Sequence, residues 1–147
     1  MTSSVLTTRS VAGYGAGSTH LLTLGSGEPI KPSGHANIHL WLRHFARVAE
    51  HEGQREPWRA DTVGYYYALL DSEEQEIIAY HWHPEARSPI TFPHLHLGAG
   101  AGLGRKEFQK AHVPTGHVEL EDVLLMATRE FGVKPQRDDW EDILTPR

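Results

Sequence analysis

Residues 62–97 read TVGYYYALL-DSEEQ-EIIAYHWH-PEARSPI-TFPHLHL, and the grouping of these residues decides the fold. Thr62 to Leu70 is rich in aromatic and apolar residues, and Asp71-Ser72-Glu73-Glu74 interrupts it with a short polar turn. A second apolar run, Glu76 to His83, follows at once, so the economical arrangement is an antiparallel hairpin. A third run, Thr91 to Leu97, comes after Pro84-Glu85-Ala86-Arg87-Ser88-Pro89 and is expected to be the next strand of the same meander.

Toward the amino terminus, Thr19 to Leu24 fits a short strand. Lys31-Pro32-Ser33 reads as a helix start with Ser33 as N-cap, and Ile38, Trp41, Leu42, Phe45, Val48 and Ala49 follow a helical period up to Gly53. Residues 1–18 are expected to be a flexible tail, broken by Gly13, Gly15 and Gly17. Toward the carboxy terminus, Gly98 to Gly104 reads as a flexible tip and Lys106 to Val113 as a fourth strand. Leu120, Val123, Leu124, Ala127 and Phe131 predict an amphipathic helix. Glu121 and Asp122 sit in its first turn, where the helix dipole favours them, and Gly132 takes the C′ position. Asp138 and Glu141 resemble a capping box for a short helix carrying Trp140, Ile143 and Leu144. The expected fold class is α+β: one domain over residues 19–147, with an antiparallel sheet covered by two main helices.

A chain of 147 residues is long enough to bury about two thirds of its unfolded surface in a single core. With 39% hydrophobic and 22% charged residues it has the composition of a globular protein rather than a disordered one. No run approaches the roughly 18 apolar residues of a membrane helix. Met1 to His20 has no basic cluster ahead of an apolar stretch, so a secretory signal is not expected and a cytoplasmic location is. There is no cysteine, which removes disulfides, thiolate nucleophiles and Cys-based zinc sites. The net charge of -5 argues against a generic nucleic-acid binder. The charge is uneven, however. Residues 81–117 carry four Lys/Arg against two Asp/Glu, whereas residues 1–80 carry six against nine and residues 118–147 four against eight.

Histidine is the anomaly, with eleven in the chain and four within sixteen residues: His81, His83, His94 and His96. Side chains alternate across a strand, so His81 and His83 share one face, as do His94 and His96. If the two strands are neighbours, four imidazoles converge over one patch of sheet. Neutral imidazoles there would hold a divalent transition metal, and imidazoles of different protonation would act as base and acid. The plain alternative is a set of half-buried structural rings bonded to backbone. His112 and His117 flank the Val113-Pro114-Thr115-Gly116 loop without an evident pairing. His35 and His39 lie four apart on the predicted helix but lack the Glu of a zincin motif, and His20, His44 and His51 read as surface residues. The glycine run before Arg105 and Lys106 lacks P-loop spacing. In His81-Trp82-His83-Pro84-Glu85 the carboxylate follows too soon for a cupin, and Gly98 stands where an alternating His triad would have its third member. Ser88, Thr91 and Thr115 have no nucleophile context.

The stretches Tyr80-His81-Trp82-His83 and Phe92-Pro93-His94-Leu95-His96-Leu97, followed by a helix with Leu120-Glu121-Asp122-Val123-Leu124, resemble the TumE-like toxins of bacterial toxin-antitoxin pairs. The resemblance covers about residues 62–131; Leu95 stands where the family has a further histidine, and the Arg-x-Asp-Asn segment between its strands is missing. It implies a growth-inhibiting protein that acts on RNA and is neutralised by a small helix-turn-helix antitoxin, and it carries over to Tyr80, His81, His94 and His96. A metal-free ribonuclease needs a base for the 2′-OH, an acid for the 5′-oxygen and cations for the phosphorane. His94 and His96 are the acid/base candidates, with His81 and His83 as orienters or phosphate donors. Arg87, Arg105 and Lys106 are phosphate contacts, and Tyr80, on the other face, is assigned to packing. Two alternatives stand beside this one: a metal site formed by His81, His83, His94 and His96, cupin-like or otherwise, and a non-enzymatic module whose acidic carboxy-terminal third docks a partner chain.

Overall fold

Among the described residues seven strands follow one another in chain order across a single antiparallel sheet: β1 (Leu6–Ser10), β2 (Thr19–Leu24), β3 (His39–Glu50), β4 (Trp58–Leu70), β5 (Glu76–Trp82), β6 (His94–Leu97) and β7 (Val113–Pro114). The structure is a computed structural model and describes residues 6–10, 17–34, 37–53 and 57–145. Among these residues three α-helices complete the α+β fold: α1 (Lys106–Lys110), α2 (Leu120–Arg129) and α3 (Trp140–Leu144). The hairpin of β4 and β5 pairs Tyr67 with Tyr80 and Tyr66 with His81, and the Asp71 carboxylate accepts the backbone N–H groups of Glu73 and Gln75 in its turn.

Several expectations are corrected. The described residues between Ser33 and Gly53 form no helix; most of them belong to the twelve-residue strand β3, paired with β4 from His39 to Glu50 and with β2 from Arg43 to Arg47. Its apolar residues satisfy two periods at once. Leu40, Leu42 and Ala46 are buried on one face, while Trp41 and Phe45 serve the other, so a central strand uses residues that also fit a helical stripe. Among the described residues only one of the two expected main helices is therefore present, and it is α2. Lys106–Lys110 is helical rather than extended: the residues are good helix formers, with Glu107 in the first turn and Lys110 in the last. Within the expected tail, Leu6–Ser10 form β1 against β2. Gly98 to Gly104 is not a free tip. The Gly98 N–H donates to the Ile77 carbonyl, a Cβ at Gly98 would lie 2.1 Å from the Glu76 carbonyl oxygen, and Ala99–Ala101 form a 3-10 turn against β5. The last helix begins after Asp139 rather than Asp138, and no side chain caps it.

α2 forms where expected. Glu119 and Asp122 close a capping box at its start, and Gly132 takes a positive φ of 70° just past its end. Val123 and Ala127 bury its apolar stripe against Leu40, Leu42, Tyr65, Tyr67 and Leu69. The sheet thus has one face closed by α2. The other face, centred on Ala68, Leu70 and Ala79 with Trp41 and Tyr66 packed against them, carries the histidines.

Candidate metal centre

The register between β5 and β6 sets His81 directly opposite His94 and Ala79 opposite His96. Ala79 is fully buried and contributes only a methyl group, so the His96 ring sits diagonally beside His81, with ring centroids 4.7 Å apart. His94 lies 5.4 Å from His81 and 5.0 Å from His96. One nitrogen from each of these three rings falls within 4.8 Å of the other two. Two nitrogens bound to one zinc ion at about 2.1 Å sit roughly 3 to 4 Å apart, so modest ring rotations bring the set to ligation distance.

His83 and His112 extend the cluster. His83 is 6.0 Å from His81 and 5.8 Å from His94. His112, which its sequence context did not single out, stands 5.0 Å from His94 and 4.5 Å from His96. It precedes β7, whose Pro114 pairs with His94, and the two-residue length of β7 explains why no periodic pattern announced it. Tyr80 points to the opposite face, where its hydroxyl donates to the Met126 sulfur at 3.7 Å.

The nitrogens differ in what they can do. His94 is 1% exposed, and its Nδ1 lies 2.8 Å from the Phe92 carbonyl oxygen. A carbonyl only accepts, so Nδ1 carries a proton and donates it there, and in the neutral ring this tautomer makes Nε2 the nitrogen that offers a lone pair. His81 Nε2 is buried with no hydrogen-bond partner. Burial, reinforced by the neighbouring imidazoles of His96, His94, His83 and His112, lowers the His81 pKa to about 3. Burial, then His112, His94 and His83, lowers that of His96 to about 4. His83 is displaced downward for the same reasons. Both His81 and His96 are therefore neutral at physiological pH, the form in which imidazole binds metals.

The other candidates are dispersed. Arg87, Arg105 and Lys106 are exposed, and no hydrogen bond or ion pair among the described residues joins them to the histidines; Arg105 instead faces Glu107 at 3.8 Å and the Phe108 ring at 5.9 Å. His117 packs edge-on against Trp82 at 4.2 Å. His35 lies outside the described residues, and His39 donates to or accepts from none of the cluster, its Nδ1 bonding the Asp71 carbonyl at 3.0 Å. His44 is half-buried rather than on the surface and hydrogen-bonds the Tyr67 hydroxyl, while His51 pairs with Asp61 at 2.9 Å. Among the described residues no helix is long and apolar enough to cross a membrane. No family model, curated protein or solved structure matches the chain.

Proposed function

We propose that the protein carries a mononuclear centre for a divalent transition metal, held by His81, His94 and His96 on the open face of the sheet. The observation that carries this is the approach of one nitrogen from each of three imidazoles within 4.8 Å, in a cluster where the His81 Nε2 is buried without a hydrogen-bond partner. An unpaired buried polar atom costs about 1–3 kcal/mol, and an ion bound there would satisfy it. The donor set is all imidazole, which suits zinc, copper, nickel or iron. Three protein ligands leave a further coordination position for water or a ligand atom, as in catalytic rather than structural zinc sites. The Phe92 carbonyl, by holding the His94 ring, orients a ligand in the way such sites require.

Zinc titrated by calorimetry into chelator-treated protein should bind at about one ion per chain. His96→Ala, at a less buried position than His94, should weaken binding about a hundredfold or more while the fold persists. Equal uptake by the wild type and His96→Ala would rule the centre out.

The RNA-cleaving toxin implied by the TumE-like resemblance is a second proposal. In its favour, His83 and His112 add two imidazoles beyond the three that would ligate, enough for a base and an acid beside them. Partners would then be RNA and a helix-turn-helix antitoxin. Induced expression should arrest bacterial growth, and His94→Ala should relieve the arrest; unimpaired growth of cells expressing the wild-type protein would end this proposal.

A further inference from the structure

Beside the histidines the sheet opens into a cavity of about 400 Å³. Its walls are Trp41, Arg43, Phe45 and Tyr66, and it reaches His81 and His83, so His81 belongs both to the cavity and to the ligand triad. The volume is within the range of small-molecule sites.

The walls are fixed. The Trp41 indole N–H donates to the Gly27 carbonyl at 2.8 Å, and its ring meets Tyr66 edge-on at 4.9 Å. Tyr66 in turn meets His81 edge-on at 4.7 Å and donates its hydroxyl to Glu76 at 3.3 Å. Three rings in contact thus line the path from the cavity to the ligand triad. Gly64 lines the cavity beside Phe45, and a Cβ there would lie 2.9 Å from the Trp82 carbonyl oxygen and 3.8 Å from the Phe45 ring.

The charge in this cavity comes from Arg43. Its guanidinium lies 5.8 Å from the Phe45 ring centroid and has no carboxylate partner among the described residues. Glu85, which lines the cavity at its rim, is already paired with Arg47 at 3.1 Å, which ties the loop carrying Ala86 to β3. One unpaired cation with a carboxylate at the rim favours a singly charged anion over a phosphate dianion. Aromatic walls favour a planar ring.

We infer that this cavity binds a small planar aromatic carboxylate, its ring between Trp41, Phe45 and Tyr66 and its carboxylate paired with Arg43. Its role as a substrate at the metal rests on the centre proposed above, but its binding does not. The end of the ring remote from Arg43 then faces His81 and His83, which line the same cavity.

Calorimetry with 2-naphthoate tests this, using both chelator-treated and zinc-loaded protein. The acid should bind both forms, and the neutral 2-naphthalenemethanol should bind about tenfold more weakly. Arg43→Gln should weaken the acid about tenfold or more, with Arg43→Lys recovering part of the loss. Ala86→Trp alters an exposed position at the rim, leaves the core untouched and should also weaken binding. Equal affinity for the acid and the alcohol, no effect of either Arg43→Gln or Ala86→Trp, or no binding near 1 mM (on the order of 4 kcal/mol) would overturn the inference. Naphthoate binding without zinc uptake would remove the metal centre alone, whereas zinc uptake without naphthoate binding would remove the carboxylate site alone.

Discussion

His94 joins backbone and chemistry in one residue. It is sealed from solvent, its Nδ1–H is committed to the Phe92 carbonyl, and its ring touches those of His81, His83, His96 and His112. The crowding has a consequence for the metal-free protein. In the unfolded chain each histidine takes a proton near pH 6.5, whereas in the fold His81 waits until about 3 and His96 until about 4. Between those values the unfolded state binds more protons, so stability falls as pH drops from 7 toward 4. His83 and His44 act in the same sense, and Glu76, raised by burial, acts in the opposite one. Thermal midpoints of chelated protein should be lower at pH 5 than at pH 7.5, with a smaller difference in His96→Ala; a higher midpoint at pH 5 would contradict the crowding. Both His-x-His pairs were legible because strand alternation fixes the face from two residues. His112 was not, since its placement depends on how β7 returns to β6 after a helix and a loop.

At the scale of elements, β3 shows where sequence pattern stops deciding. Its residues satisfy helical and extended periods alike, and pairing with β2 and β4 on both edges selects the strand. β2, the β4–β5 hairpin and α2 had one consistent pattern each and formed as expected, because their turns and caps agree with their periods. The closed face depends on the packing of α2 against β4. Leu69→Ala, at a fully buried position there, should cost about 2–5 kcal/mol in chemical denaturation. Ile143→Ala on α3, where the residue is 54% exposed, should change stability by less than about 0.5 kcal/mol. Gly98→Ala belongs to this scale as well. Its Cβ would collide with the Glu76 carbonyl and push β6 from β5, and a lowered thermal midpoint with weakened zinc binding should follow.

The whole molecule divides its work between two faces of one sheet. α2 closes one face with apolar contacts, and the other gathers imidazoles beside an aromatic cavity. The predicted α+β class and antiparallel meander hold because strand-to-strand order follows the chain, the arrangement that short connections favour. The histidine site was legible as a patch; its depth, its fifth ring and the neighbouring cavity were not, since they arise from β3 and β7 lying where no local signal placed them. X-ray absorption at the zinc edge of protein loaded with one equivalent tests the metal centre most directly. A first shell of nitrogen or oxygen at about 2.0–2.1 Å, with outer-shell scattering from three imidazoles that falls to two in His96→Ala, is the expected result. A zinc spectrum without imidazole scattering, or one unchanged by His96→Ala, would contradict it.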